Sequence, residues 1–179
     1  AEELYDNVLE IYNASRKAKE IIARLSDLSR KNTSLTFQYV SPDELVRKVL
    51  AVASPARPPH VEVRTDLACR HLWLRGNEIQ LSQMLLNLIL NAYHAMEPGG
   101  GTLTVATRPE GEFLCFQVSD TGSGISPEVL PHIFEPFFTT KERGKGTGLG
   151  LAIVRQVMEE HKGTITIDTA PGRGTTMLL

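Results

Sequence analysis

Residues 144–150 read Gly144-Lys145-Gly146-Thr147-Gly148-Leu149-Gly150. They run straight into Leu151-Ala152-Ile153-Val154-Arg155-Gln156-Val157-Met158, whose apolar positions recur at helical spacing. A glycine run that opens onto a helix gathers unbonded backbone N–H groups and the positive end of the helix dipole at one point, so an anion is stabilised there. Two familiar glycine loops do not fit. Lys145 is followed by Gly146 rather than Ser or Thr, and no strand leads in. What leads in is Phe134-Glu135-Pro136-Phe137-Phe138-Thr139-Thr140-Lys141, an aromatic anchor before a segment carrying Lys141, Arg143 and Lys145. That arrangement reads as a cationic lid hinged on glycines.

Upstream, residues 77–97 read as a helix whose positions Leu81, Met84, Leu85, Leu88, Ile89, Ala92 and Ala95 cover most of its girth. Asn87 and Asn91 fall about 40° apart on one polar stripe, with His94 close by. A lone Asn there bonds nearby backbone as readily as a ligand. Facing phosphates, however, the Asn oxygen is a hard neutral donor suited to Mg²⁺. Between this helix and the glycine run, the apolar segment Phe113-Leu114-Cys115-Phe116-Gln117-Val118 ends at Asp120-Thr121-Gly122-Ser123-Gly124. A carboxylate at a strand end can only accept hydrogen bonds, so it suits the exocyclic amine of adenine, and flanking glycines let backbone approach a flat base. A plain Asp-Thr-Gly turn is the structural alternative.

Around these segments the chain alternates. A short strand through Phe37 to Val40 precedes Ser41-Pro42-Asp43-Glu44, with a capping Ser, Pro at the first helical position and Glu following, so a helix is expected to about Val52. Val61-Glu62-Val63-Arg64 and Leu72-Trp73-Leu74 read as two strands of a hairpin-like pair. Strands are expected near 102–108 and 112–119, then a helix over 148–161, a strand over 163–169, a turn at Ala170-Pro171-Gly172-Arg173-Gly174 and a last strand. Residues 1–31 carry Leu4, Ile11, Ala18 and Leu25 at intervals of seven, a heptad stripe that needs a partner helix or the chain's own globular part.

With 179 residues and 41% hydrophobic content the chain can bury a real core. A net charge of -2 gives no long-range attraction to nucleic acid or anionic lipid, so phosphate binding must be local. Cys69 and Cys115 lack metal or disulfide spacing, which suits a reducing compartment. No apolar run approaches the roughly 20 residues of a membrane helix, and the start at Ala1-Glu2-Glu3-Leu4 lacks signal-peptide blocks. A cytoplasmic location is expected, at the inner face of the plasma membrane if a longer protein is anchored.

Taken together these residues resemble the ATP-binding catalytic domain of two-component sensor histidine kinases, in the GHKL superfamily. Asn87-Leu88-Ile89-Leu90-Asn91-Ala92 is similar to that family's N box, Asp120 to Gly124 to its first Gly box, Phe134 to Lys141 to its F box and Gly144 to Gly150 to its second. The resemblance implies an α/β fold: a two-layer α/β sandwich with a mixed sheet and helices on one face, over residues 35–179. A long dimerisation helix over residues 1–34 would precede it. It implies ATP and Mg²⁺ as ligands. Asn91 would hold the metal, Asn87 and Lys141 would contact phosphates, and Asp120 would take the adenine amine. The remaining contacts would come from His94, Gly122, Gly124, Ile125, Phe134, Lys145, Gly146, Thr147, Gly148, Leu149, Gly150 and Thr175. The implied partners are ATP/ADP, a response regulator receiver domain and a second copy joined through the N-terminal helix, with no nucleic acid.

Two departures sharpen the reading. Hydrolytic relatives of the superfamily place a Glu general base where this chain has Asn87, and a carboxamide cannot take a proton from water, so ATP should be held with little hydrolysis. The family's acceptor His lies on a helical hairpin, whereas His60, His71, His94, His132 and His161 all fall in the ATP-binding part. The acceptor helix is therefore expected to be missing from this stretch, and the chain is expected to bind Mg-ATP without labelling itself. A GHKL-type ATPase and an anti-sigma-type serine kinase stay open as alternatives.

Overall fold

The structure, a computed structural model, describes residues 36–97, 99–141 and 146–179. The heptad stripe, the acceptor-module boundary at residue 34, and Arg143, Gly144 and Lys145 of the lid lie outside the described residues.

Along the chain run β1 (Gln38–Val40), α1 (Pro42–Ala53), β2 (Val61–Leu67), β3 (Leu74–Gly76), α2 (Glu78–Met96), β4 (Gly101–Glu110), β5 (Phe113–Asp120), α3 (Gly150–Glu160), β6 (Thr166–Ala170) and β7 (Gly174–Leu178). The main sheet has the order β2-β4-β5-β7-β6. Only β2 and β4 are parallel, and the other neighbours are antiparallel, so the sheet is mixed. The helices pack side by side, α1 and α3 flanking α2, and α1 and α2 also pack on the sheet. This is the two-layer sandwich expected from the resemblance.

The hairpin-like pairing of residues 61–64 with 72–74 does not form. β2 lies beside β4, with Val61 opposite Gly101 and Leu67 opposite Thr107, whereas β3 pairs with β1 in a separate two-stranded ribbon. The cause is a buried polar tie at the end of β2. Asp43 Oδ1 accepts from the Thr107 hydroxyl at 2.6 Å and from the Cys69 backbone N–H at 3.2 Å, and Ala68 N–H donates to the Thr107 carbonyl at 3.1 Å. The chain is thus fastened to α1 and β4 just where a hairpin would turn back.

Ser41 also departs from expectation. Its side chain makes no cap bond, and its carbonyl instead accepts from Leu45 N–H at 3.0 Å. Pro42 in the first turn, followed by Asp43 and Glu44 near the positive helix end, is enough to start α1. α2 is capped by Asn77, whose side chain accepts from Gln80 N–H at 3.1 Å. It buries Leu81, Met84, Leu85, Leu88, Ile89, Ala92, Tyr93 and Met96, and each such large apolar side chain contributes about 1.5–3 kcal/mol. The crossover from β2 to β4 contains α2, which packs on β4 and β5 and whose last turn meets the loop after β5, where Ser123 N–H donates to the Ala95 carbonyl at 3.1 Å.

Candidate functional site

The polar stripe of α2 meets the start of α3. A Cβ built on Gly150 would stand 3.7 Å from Asn87 Cγ and Oδ1, so the first residue of α3 lies against that carboxamide. Asn87 Nδ2 is buried and has no hydrogen-bond partner. α3 itself begins without a side-chain cap, so the N–H groups from Gly150 onward and the Nδ2 donor of the adjoining Asn87 are both left for an anion to satisfy. Asn91 Oδ1 accepts from Lys141 Nζ at 3.4 Å, and the same ammonium lies 3.1 Å from His94 Nδ1. Burial pushes the Lys141 ammonium below its usual range. Burial first, and the Lys141 charge second, push His94 down as well. The fold therefore brings Asn87, Asn91, His94, Lys141 and Gly150 to one place.

The other end is built on β5. Asp120 is its last residue, paired with Leu103 on β4 and Thr175 on β7, and it is 9% exposed. One carboxylate oxygen accepts from Gly122 N–H at 2.8 Å. Burial drives the carboxyl above the ordinary aspartate range, partly offset by the backbone of Gly122 and Thr175. Close approach explains the glycines. A Cβ on Gly122 would come within 2.6 Å of the Ala95 carbonyl oxygen, and one on Gly124 within 2.0 Å of that of Ala170. Gly124 also has φ +67°, which favours glycine.

Of the remaining predicted positions, Ile125 N–H donates to Thr169 Oγ1 at 3.0 Å. Phe134 and Thr147 are half-buried, and Leu149 is buried. The aromatic segment is tied to the glycine run. Phe137 N–H donates to the Gly148 carbonyl at 2.9 Å, and Phe137 holds φ 69° although it has a side chain. Gly146 passes so near Thr139 that a Cβ would meet its hydroxyl at 2.6 Å. Lys145 is outside the described residues.

Thr169 escaped the sequence reading. Its hydroxyl donates to the Gly174 carbonyl at 3.0 Å and lies 2.9 Å from the Thr175 hydroxyl, so it props the loop behind Asp120. In sequence it is one more residue of the alternating stretch Thr164-Ile165-Thr166-Ile167-Asp168-Thr169, which carries no signal beyond a strand.

Residues 76–179 match the family model for histidine kinase-, DNA gyrase B-, and HSP90-like ATPases. The chain belongs to this family. Among members and solved structures, it is 34% identical over 188 residues to the sensor kinase CckA of Brucella abortus, covering 96% of this chain and 20% of CckA. It superposes on the mycobacterial sensor histidine kinase MprB with a TM-score of 0.70 and 27% identity, over 80% of this chain and 95% of that one. For full-length ShkA, solved in complex with AMPPNP, the TM-score is 0.76 at 28% identity, over 93% of this chain and 35% of that one. The chain spans 20% to 37% of the lengths of the curated relatives it matches. As a GHKL ATPase domain, it is built to use ATP. Among the described residues no helix is long and apolar enough to cross a membrane.

Proposed function

We propose that this chain is the ATP-binding catalytic part of a sensor histidine kinase. It holds ATP with the γ-phosphoryl group open to attack by a histidine ring nitrogen on a dimerisation helix. The phosphohistidine then passes its phosphoryl group to an aspartate of a response regulator. The observation that carries this reading is the orphaned Asn87 amide against the uncapped start of α3. A buried donor without a partner costs about 1–3 kcal/mol, and a phosphate oxygen would remove that cost.

The residues divide the work. Asp120 accepts from the adenine amine, with Gly122 and Gly124 giving the base room and Thr175 beside it. Asn87, the first amides of α3, Lys141 and His94 take the phosphates. The Asn91 oxygen already accepts from a cation, the Lys141 ammonium, and so fits a metal. Mg²⁺, when bound there, would neutralise charge on the phosphates. Attack by the acceptor nitrogen forms the N–P bond as the bond to the leaving oxygen of ADP breaks, so the protein's task is alignment and charge stabilisation. Asn87 cannot accept a proton from water, which disfavours the ATPase alternative. The relation to sensor kinases such as CckA supports the two-component role over a serine kinase.

We place the full protein in the cytoplasm or at the inner membrane face, with residues 1–34 joining a homodimer and 35–179 forming the catalytic domain. Radiolabelled ATP tests the function. The chain alone should bind ATP and acquire no phosphohistidine. A longer protein that includes the preceding helix should acquire acid-labile label, transfer it to a receiver domain, and lose both steps with Asn91→Ala. Steady ADP release by the chain alone would replace this reading with the ATPase.

A further inference from the structure

α3 touches α2 at both of its ends. At its start Gly150 lies against Asn87, and at its finish Glu160 and His161 meet the first turn of α2. The His161 ring donates from Nδ1 to the Val157 carbonyl at 2.8 Å, which leaves Nε2 to accept from the Asn77 backbone N–H at 3.0 Å. That N–H belongs to the cap residue of α2 and is a donor the helix leaves unmatched. Beside it the Glu160 carboxylate accepts from the Gln80 side-chain amide and, at 3.0 Å, from that of Gln156. The imidazole also packs on Phe37, ring centroids 5.0 Å apart, just before β1. On β3, a Cβ added at Gly76 would stand 3.1 Å from the ring's Cδ2. The β1–β3 ribbon and both helices of the phosphate site thus converge on one side chain, whose partners Asn77, Val157, Phe37 and Gly76 are not among the predicted ligand contacts.

We propose that His161 is a positioning residue for the phosphate end of the nucleotide site. Resting on the nucleotide reading above, the inference is that His161 and Glu160 clamp the far end of α3 and so set where the donors at Gly150 stand relative to Asn87. A helix of 11 residues is a rod about 16 Å long. A tilt of a few degrees at the clamped end therefore moves the other end by about 1 Å, enough to spoil oriented donors. The Asp120 end rests on β5 and β7, outside this clamp. Loss of the clamp should weaken binding of the triphosphate and leave binding of the base alone.

The whole chain, as wild type and as His161→Ala, His161→Gln and Glu160→Ala, is titrated with Mg-ATP and with adenosine, with thermal melts run alongside. His161→Ala should lower ATP affinity about fivefold or more, the worth of one lost hydrogen bond, with adenosine affinity held within about twofold. His161→Gln, whose amide oxygen can accept from Asn77 N–H, should recover most of the ATP affinity. Should His161→Ala fail to fold, Glu160→Ala should show the same selective loss. Equal losses for ATP and adenosine, unchanged ATP affinity, or no recovery with Gln would overturn the proposal and leave His161 a stability residue. A wild type that binds ATP no better than adenosine removes the nucleotide reading and this inference with it.

Discussion

Asp120 carries the sharpest conflict between stability and binding. A folded-state value above the ordinary aspartate range means that the folded chain holds this proton more tightly than the unfolded chain does. Its cost to stability is absent at low pH and grows as pH rises through the folded value. Gly122 N–H donates to the buried carboxyl and offsets part of that cost, and on the proposed reading the adenine amine would donate to it as well. Asp120→Asn should therefore leave the melting temperature at pH 7 unchanged or higher, while ATP affinity falls about 10- to 100-fold. Adenosine binding by the wild type should weaken as pH falls, from a higher pH than an ordinary aspartate would give, and Asp120→Asn should lose that dependence. Calorimetric titration across pH checks both. The strand-end place of Asp120 is legible in sequence because an apolar strand runs into an acid and two glycines. Thr169, which supports it from two strands away, is not, since a strand threonine looks the same whether it faces solvent or bonds a loop.

At the scale of elements, the aromatic segment is tied at Phe137 to Gly148, just before α3. Gly148 has φ +66°, and a Cβ there would sit 2.3 Å from the Phe137 carbonyl carbon. Gly148→Ala should cost about 1 kcal/mol or more in urea unfolding and reduce ATP affinity without touching adenosine. The buried tie at the end of β2 should behave in the opposite way. Thr107→Val removes the hydroxyl that donates to Asp43, leaving a buried acid short of a partner, so stability should fall by about 1–3 kcal/mol with ATP affinity intact. The helices are readable from period and punctuation, as the apolar spacing over residues 77–97 and Pro42 at the start of α1 illustrate. The pairing of β2 was not. Alternation reveals a strand but not its neighbour, and the Asp43–Thr107 bond that decides the neighbour joins residues far apart in sequence.

Across residues 36–179, a mixed sheet with a central β5 places one acid at a strand end, and a crossover helix brings Asn87 to the uncapped start of α3 and Asn91 to Lys141. The order of the motifs made that architecture legible as a family resemblance, while the clamp at His161 became visible only once α2 and α3 lay side by side. The central claim is that Asp120 reads adenine while the Asn87 and α3 donors take the phosphates. Titration of the chain by calorimetry with Mg-ATP and Mg-GTP tests it most directly, because guanine presents an acceptor oxygen where adenine presents its amine. The account predicts saturable binding of ATP and at least about tenfold weaker binding of GTP; equal affinity for the two, or no binding of ATP, would contradict it.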